Sequence, residues 1–494
     1  MTMQARIDAI RNQPVPAQKL LINGQWQEGK DAATPVVSPI DGRQITTLAT
    51  GSPDDLDRAV AAARAAYVAG HWSRMPPPAR KKILLAIADR LEAEALDIAV
   101  LGVRDNGTEM AMALKAEPLG AAATFRYYAE ALDKIYGEIA PTAPDVLGLI
   151  HRGPVGVVGA IVPWNMPLMI GAWKLAPALA MGNSVVLKPA ELASLSLLRL
   201  AALCTDCGLP DGVLNVVTGK GTVVGAALAR HMDVDVLAFT GSNGVGRQLL
   251  LASAQSNLKR VYLELGGKSP NIIFADAPDL ERAAKVAAQA IFRNAGQVCV
   301  AGSRLLVEAS VHDAVVEQVA RHAAALRVGD PLDLTTEVGA VCSETQLRQN
   351  LAHVAQAEAE GAHRVTGGAR ILSDTGGTYM QPTVFDGVTP DMTLAREEVF
   401  GPVLAVLPFA DEAEAVRLAN DTVFGLASAV WTGNLSRAHR MVGAVEAGVV
   451  HVNTYGGSDL TVPLGGHRQS GNGHDKSLHA LDKYVNLKTA WIQL

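Results

Sequence analysis

The chain has 494 residues, of which 49% are hydrophobic and 19% are charged. This length predicts about two to four domains, and this composition excludes a disordered or low-complexity chain. The 43 basic and 49 acidic residues give a formal net charge of −6, which argues against a nucleic-acid partner. Four cysteines exclude a disulfide scaffold and favour a reducing compartment.

The amino-terminal segment carries Arg6, Asp8 and Arg11, and it lacks the apolar run of a secretory signal. The uncharged stretch between Arg152 and Lys174 is long enough for a membrane span, but glycines and prolines interrupt it throughout. This pattern predicts a buried strand, a turn and the start of a helix. We therefore expect a cytoplasmic protein that has no membrane partner.

Helical patterns dominate the first part of the chain. Ser52 is followed by Pro53, Asp54 and Asp55, which predicts a helix start, because a capping hydroxyl, a proline and two carboxylates suit the first turn. Residues 79–101 have the spacing of a second long amphipathic helix.

From residue 155 onward, short β-branched runs alternate with helix-length segments, which is the pattern of βαβ units in a parallel sheet. The predicted strands are 155–162, 184–187, 213–217, 236–239 and 261–263, and the predicted helices between them are 165–181, 194–207, 221–231 and 244–256. A second series begins with 271–274, 279–292, 304–307 and 312–326. The sequence therefore predicts an α/β fold with two α/β domains.

Two glycine-rich segments are candidates for phosphate binding. The segment from Gly241 to Gly246 follows the strand that ends at Phe239 and precedes a helix, so its backbone N–H groups can face a pyrophosphate. Its spacing is not G-x-G-x-x-G, and a plain strand-to-helix turn is the alternative. Residues 267–269 resemble the end of a P-loop, but Tyr262 occupies the position of its first glycine, which excludes a P-loop kinase or ATPase.

The cysteines differ in their surroundings. Cys204 and Cys207 have no second ligand pair, so we expect them to pack within a helix and predict no metal site. Cys342 has no motif around it. Cys299 lies among small residues that would let a substrate approach its sulfur, although a packed core thiol is the other interpretation.

Two polar residues follow predicted strands. Glu264 ends an apolar strand, where it is either a surface residue or a general base whose pKa is raised by burial. Asn165 lies between Pro163 and Pro167, in a turn whose amide is a neutral donor of the kind that stabilises an oxyanion.

Seven motifs together identify a family resemblance. They are PWNMP at 163–167, LKPAE at 187–191, FTGS at 239–242, ELGGK at 264–268, GQVC at 296–299, EEVFGP at 397–402, and PLGG at 463–466 with SG at 470–471. In this order and over essentially its full length, the chain resembles the NAD(P)-dependent aldehyde dehydrogenases.

The resemblance implies a catalytic mechanism. Cys299 would be the nucleophile that adds to the aldehyde carbon. The Asn165 side chain and the backbone N–H of Cys299 would hold the oxyanion, and Glu264 would activate the water that hydrolyses the thioester. Lys174 and Asp475, with the carboxylates near Glu397, would relay protons.

The resemblance also implies NAD as the cofactor. Glu191 favours NAD over NADP, because a carboxylate accepts from free ribose hydroxyls and repels a 2′-phosphate. The implied cofactor-binding residues are Trp164, Lys188, Glu191, Thr240, Gly241, Ser242, Gly246, Leu265, Glu398 and Phe400.

The family fold implies three parts. These are an NAD-binding domain of residues 1–127 and 150–263 with a Rossmann-like sheet, a catalytic domain of residues 264–477, and an oligomerisation element of residues 128–149 and 478–494. The carboxy-terminal tail alternates like a strand, and an exposed strand edge favours pairing with another subunit. We expect a homodimer or homotetramer.

Within the family, the chain resembles most the bacterial γ-glutamyl-γ-aminobutyraldehyde and guanidinobutyraldehyde dehydrogenases, which implies an ω-amino- or γ-glutamylamino-aldehyde substrate. The implied substrate-funnel residues are Met166, Trp173, Arg293, Val298, Asp459 and Leu464.

Two departures keep other substrates open. Glu117 follows Ala116 where two adjacent acids are common, and Arg293 replaces an aromatic residue and would repel a protonated amine. An aromatic or indolic aldehyde and a semialdehyde carboxylate are therefore alternatives. The presence of Glu264 disfavours a CoA-acylating enzyme, and the intact catalytic residues argue against a non-catalytic NAD-binding relative. A thiol esterase would leave the cofactor motifs unexplained.

Overall fold

The computed structural model describes residues 2–457 and 459–494. In chain order its α-helices, α1 to α16, are Met3–Arg11, Pro53–Ala69, Pro77–Ala93, Ala95–Asn106, Met110–Ala116, Pro118–Ala131, Pro167–Ala180, Leu195–Asp206, Ala226–Arg230, Asn243–Ala254, Leu280–Phe292, His312–Ala325, Glu344–Ala359, Thr393–Arg396, Glu412–Asn420 and Leu435–Ala444. Among the described residues, no helix combines the length and the apolar character that crossing a membrane requires.

The strands belong to five sheets. In chain order β1 to β22 are Leu20–Ile22, Gln25–Gln27, Asp31–Val37, Gln44–Thr50, Glu138–Ala140, Val146–Pro154, Val157–Ile161, Ser184–Lys188, Leu214–Val216, Val236–Thr240, Arg260–Glu264, Pro270–Ile273, Arg304–Glu308, His363–Thr366, Arg370–Ile371, Tyr379–Met380, Thr383–Asp386, Val403–Phe409, Ala427–Trp431, Val449–Val452, Gly471–Asn472 and Val485–Gln493.

The first large sheet has the strand order β2-β1-β9-β8-β7-β10-β11-β21. Its five central strands run parallel, and they are β9, β8, β7, β10 and β11. Alternate residues enter two different hydrophobic clusters, with Val158 and Val185 in one and Val157 and Val186 in the other. Burial on both faces explains why these strands are continuous apolar runs in the sequence.

The second large sheet has the order β14-β17-β18-β13-β12-β19-β20 and is parallel except for β14. It has its own hydrophobic cluster, which includes Ile272, Leu305 and Val406. The two sheets confirm the predicted aldehyde dehydrogenase type of α/β fold. β11 is the last strand of the first large sheet before the chain enters the second, and β12 is the first strand of the second. Residues 265–269 between them therefore connect the two sheets directly.

A small antiparallel sheet has the order β22-β6-β5. It joins the predicted hairpin and the carboxy-terminal strand, but the hairpin lies later in the chain than the predicted 128–149. Residues 128–131 continue α6, with Tyr128 and Ala129 buried, and β6 extends to Pro154. The role of this sheet and the three domain boundaries remain predictions.

The predicted single helix at 79–101 was wrong, because α3 and α4 are separate helices that meet at Glu94. Glu94 has φ −102° and ψ 14°, and its carboxylate receives hydrogen bonds from Arg90 and Arg199. The change of direction lets each helix bury its own apolar face. A smaller difference lies at 221–231, where a π-helical turn over Gly221–Gly225 precedes α9.

Candidate active site

A left-handed turn leads into the segment that carries Cys299. After α11 ends, Asn294, Ala295 and Gly296 have φ values of 51°, 50° and 74°. A Cβ at Gly296 would lie 2.0 Å from the carbonyl oxygen of Gly401, so only glycine fits there. Two consecutive non-glycine residues in this conformation indicate local strain of the kind found at functional sites. We call residues 294–296 the nucleophile turn.

Buried amides connect the nucleophile turn to Asn165. Asn165 Nδ2 donates to the carbonyl oxygen of Gln297 at 2.9 Å, and Asn294 Nδ2 donates to the carbonyl oxygen of Asn165 at 3.2 Å. Thr108 Oγ1 donates to Asn294 Oδ1 at 2.8 Å. An amide nitrogen carries two hydrogens, so Asn165 keeps a second N–H for another acceptor.

A cavity of about 480 Å³ lies over Cys299 and brings together most of the predicted cofactor residues. It is lined by Pro163, Trp164, Asn165, Ile170, Thr240, Gly241, Ser242, Leu265, Gly266, Cys299, Gln346, Gln349, His353, Glu398, Val399 and Phe400. Thr240 comes from β10 of the first large sheet, Leu265 and Gly266 come from the connection between β11 and β12, and Glu398 comes from the loop before β18 of the second large sheet.

The Cys299 thiol is half-buried beside acidic groups. Burial, together with the carboxylates of Glu398 and Glu264, raises the pKa of the Cys299 thiol to about 12. The thiol of the protein alone is therefore protonated at neutral pH. Ionising it requires either a base or added positive charge in the cavity.

Glu264 ends β11 and is buried, with its Oε1 unpaired among the described residues. Burial and then the charge of Asp475 raise the pKa of Glu264 well above its ordinary value, against the opposing effect of Lys483 and Lys174. A carboxylate in this state is a stronger base than an exposed one. Glu264 does not line the large cavity, but its carbonyl oxygen accepts from Gly241, which does.

Behind Glu264 lies a buried group of charges. Lys174 Nζ is 3.0 Å from Asp475 Oδ2, and Lys483 pairs with the other carboxylate oxygen. Burial would raise the pKa of Asp475, but the two ammonium groups outweigh it and lower this pKa. The structure thus brings together the Lys174 and Asp475 predicted from the sequence, and it adds Lys483, which belongs to no recognised motif.

The segment of Glu398 and Phe400 forms the opposite wall. Glu398 Oε1 accepts from Gly267 N at 2.9 Å, and a Cβ at Gly266 would lie 2.0 Å from Glu398 Oε2. Burial raises the pKa of Glu398 to about 7. Phe400 has φ 54° and contacts Trp164 edge to face, with ring centroids 5.3 Å apart. Glu397 is not among the cavity-lining residues.

The residues at the start of α10 suit a dinucleotide. Ser242 caps the helix, whose first-turn N–H groups present the positive end of the dipole to the cavity. Thr240 Oγ1 is buried with no hydrogen-bond partner in the described part of the chain, and Thr240 lines the same cavity. A Cβ at Gly246 would lie 3.1 Å from Leu265, so Gly246 supports this wall from behind. These features fit a phosphate-bearing cofactor.

Lys188 and Glu191 lie outside the cavity lining and pair with each other. Lys188 Nζ is 3.0 Å from Glu191 Oε2, and Gly221 N donates to Glu191 Oε1 at 2.7 Å. Burial acts to raise the pKa of Glu191, but the Lys188 ammonium and the hydrogen bonds outweigh it and lower this pKa. Glu191 is therefore a charged acceptor at neutral pH.

None of the six predicted funnel residues lines the large cavity. Met166 and Val298 are buried in hydrophobic clusters, Leu464 is half-buried, and Asp459 is exposed. Trp173 lies beneath the Lys476 ammonium, whose Nζ is 5.9 Å from the ring centroid. Arg293 lies against Gly456, where an added Cβ would be 3.0 Å from Nη1.

Sequence reasoning missed several residues of this site. Gln346, Gln349 and His353 line the cavity from α13, and Gln346 Nε2 donates to the carbonyl oxygens of Val399 and Phe400. Their helix is far from every motif in the chain, so only the tertiary structure places them here. Glu117, which stands where two adjacent acids are common in the resembled subgroup, caps the start of α7, accepting from Leu168 N at 2.7 Å and Met169 N at 3.3 Å.

Comparisons with known proteins agree with this arrangement. The family model "Aldehyde dehydrogenase family" matches residues 26–490. The chain is 48% identical over 477 residues to the NADP/NAD-dependent aldehyde dehydrogenase PuuC of Escherichia coli (strain K12), covering 96% of each protein.

Two solved structures are similar over the full length of both chains, each with a TM-score of 0.98. One is the γ-glutamyl-γ-aminobutyraldehyde dehydrogenase of Burkholderia cenocepacia J2315, with 47% identity. The other is an indole-3-acetaldehyde dehydrogenase from P. syringae in complex with NAD+ and IAA, with 48% identity.

Proposed function

The chain belongs to the aldehyde dehydrogenase family, and we propose that Cys299, Glu264 and Asn165 carry out its NAD(P)-dependent oxidation of an aldehyde to a carboxylic acid. The observation that supports these roles is the nucleophile turn, which places Cys299 at the cavity and hydrogen-bonds to the Asn165 backbone. The raised pKa of Glu264 suits it to act as the base.

The residues act in sequence. The Cys299 thiol gives its proton to water, and its sulfur forms a bond to the aldehyde carbon. The free N–H of Asn165 and the backbone N–H of Cys299 stabilise the resulting oxyanion. When bound, NAD+ supplies the acceptor for the hydride that leaves this carbon.

The second half of the reaction is hydrolysis of the thioester on Cys299. Glu264 removes a proton from a water molecule, whose oxygen attacks the acyl carbon and displaces the thiolate. The carboxylic acid leaves, and Cys299 is ready for another aldehyde. Lys174, Lys483 and Asp475 set the charge around Glu264, and in this proposal they would relay its proton.

We propose that the residues around the cavity hold the cofactor in distinct places. The start of α10 with Thr240 and Ser242 would bind the phosphates, and Glu398 with Phe400 would hold the nicotinamide end. Glu191, held by Lys188, would accept from the ribose hydroxyls of the adenosine end, which favours NAD over NADP.

The substrate proposal is an ω-amino- or γ-glutamylamino-aldehyde. It is supported by the similarity to the B. cenocepacia enzyme and by Asp459, an exposed carboxylate near Tyr127 and Lys476. The γ-glutamylamino class fits better than a simple amine. Glu117 is committed to capping α7, while Arg293 and Lys476 add positive charge that suits a carboxylate at the far end of the substrate.

An indolic aldehyde is the second candidate. Trp173 is half-buried and presents an aromatic surface to the Lys476 ammonium, and the P. syringae structure is equally similar over its full length. The same purified protein can decide between the two classes.

The test is steady-state NADH formation with one aldehyde from each class. We expect the γ-glutamylamino-aldehyde to exceed 4-aminobutyraldehyde, succinic semialdehyde, butyraldehyde and indole-3-acetaldehyde in kcat/KM by about tenfold, or about 1.4 kcal/mol. Cys299→Ala should reduce every rate by at least about 10³-fold. Unchanged turnover in this variant would contradict the proposed catalytic role, and preference for the indolic aldehyde would overturn the substrate assignment.

We also propose a homodimer or homotetramer in which the sheet of β22, β6 and β5 contacts another subunit. β22 has β6 on only one side, and its Leu487, Trp491 and Ile492 side chains are exposed. An unpaired strand edge with apolar side chains favours association.

A further inference from the structure

The nucleophile turn has a buried carboxyl partner outside all seven motifs. Glu109 is 4% exposed, and both of its carboxylate oxygens lie within hydrogen-bond distance of Asn294 N, at 3.1 Å and 3.2 Å. Asn294 is the first left-handed residue of the turn, and its side chain contacts the Asn165 backbone. Glu109 therefore binds the turn at the point where the chain leaves α11.

Glu109 is itself firmly anchored. It directly precedes α5, whose first residue Met110 donates to the carbonyl oxygen of Pro331 at 2.8 Å. The adjacent Gly107 carbonyl accepts from Ala340 N at 3.0 Å, and a Cβ at Gly339 would lie 2.1 Å from that same carbonyl oxygen. The segment around Glu109 is thus fixed by its contacts with Pro331, Gly339 and Ala340, and it can hold the turn in place.

The charge on Glu109 has a local counterpart. Burial raises the pKa of Glu109 to about 7, while the Asn294 N–H and the Arg293 guanidinium favour its charged form. A carboxylate that accepts from a backbone N–H makes a stronger hydrogen bond than a neutral group does. A strained backbone persists only when its surroundings hold it, and this bond is a direct restraint on a strained residue.

We propose that Glu109 is a positioning residue that holds the nucleophile turn and thereby sets the places of Cys299 and Asn165. The proposal builds on the proposed function, since it concerns the same nucleophile. It differs from a general structural role in one respect. Loss of Glu109 should disturb the reactivity of Cys299 more than it disturbs cofactor binding or folding.

Asp105 provides a matched control. It is 2% exposed and caps α8 through Leu195 N at 2.9 Å, and burial raises its pKa to about 7, as for Glu109. Within residues 2–457 and 459–494, its carboxylate makes no hydrogen bond with the nucleophile turn. Asp105→Asn therefore reports the effect of neutralising a buried capping carboxylate four residues away.

The experiment compares Glu109→Gln, Glu109→Ala and Asp105→Asn with the unmodified protein. We measure kcat, KM for NAD, the melting temperature, and the rate at which iodoacetamide alkylates Cys299, followed by mass spectrometry of its peptide. We expect kcat and the alkylation rate to fall by at least about tenfold in Glu109→Gln and further in Glu109→Ala, with KM for NAD within about twofold. Asp105→Asn should keep both rates within about twofold.

Two results would overturn the proposal. One is a folded Glu109→Gln protein with unchanged kcat and alkylation rate. The other is an equal loss of both rates in Asp105→Asn. If Glu109→Ala does not fold, the isosteric glutamine variant decides. Alkylation needs no turnover, so it tests Glu109 even if the aldehyde panel gives no activity and the proposed function fails.

Discussion

Glu264 combines a raised pKa with an electrostatic effect on the Cys299 thiol, and these properties lead to a kinetic prediction. Glu264→Gln should still form the thioester but hydrolyse it slowly, so stopped-flow absorbance should show release of about one NADH per active site followed by a much slower phase. Because only the carboxylate is a base, kcat of the unmodified protein should fall as the pH drops through the raised pKa. The glutamine variant should lack this fall, and full steady-state turnover in it would rule out the assigned role.

Glu191 is the residue on which cofactor choice depends. Glu191→Ser removes the charge that would repel a 2′-phosphate, and it frees the Lys188 ammonium now paired at 3.0 Å. We expect the ratio of kcat/KM for NADP to that for NAD to rise by about tenfold, or about 1.4 kcal/mol. The measurement is NADPH and NADH formation with one saturating aldehyde. A ratio that does not change would mean that Glu191 does not contact this part of the cofactor.

At the scale of elements, the nucleophile turn depends on a glycine for two reasons. Gly296→Ala adds the cost of a left-handed alanine, about 1–2 kcal/mol, and also a contact with the Gly401 carbonyl. We expect kcat to fall by at least about tenfold through displacement of Cys299.

Gly208 allows the two effects to be separated. It has φ 88°, but an added Cβ meets nothing within 4 Å, so Gly208→Ala carries the backbone cost alone. Urea unfolding should show a similar loss of stability from this cost, while kcat should change only in Gly296→Ala. Equal kcat values in the two variants would show that the turn tolerates the displacement.

How well the sequence predicts the structure differs from one element to another. The seven predicted strands match β7 to β13 within two residues at every end, because strands buried on both faces are continuous apolar runs. The break at Glu94 was missed, since it depends on a contact with Arg199 more than a hundred residues away. Motifs located Cys299 and Asn165. Glu109 was missed because its contact with Asn294 spans 185 positions in the chain, and Lys483 was missed because it belongs to no motif.

At the scale of the whole molecule, the site lies where the two large sheets are connected. Thr240 and Glu264 lie at the carboxyl ends of β10 and β11 in the first large sheet. Glu398 lies in the loop before β18, a strand of the second large sheet. The small sheet of β5, β6 and β22 contributes none of the cavity-lining residues. Its long pairing between β6 and β22, with apolar side chains left exposed, is therefore better explained by contact with another subunit than by catalysis.

Trp491 gives the sharpest test of that contact, because its side chain is 66% exposed on β22. Size-exclusion chromatography with light scattering should find the unmodified protein at a multiple of the 51.8 kDa chain mass. Trp491→Glu should shift the mass toward a single chain, because a charge on an exposed strand opposes pairing with another subunit. Val68→Glu, on the 63% exposed Val68 of α2, is the control and should keep the native mass. A monomeric unmodified protein, or a Trp491→Glu variant of unchanged mass, would show that this sheet does not form the subunit contact.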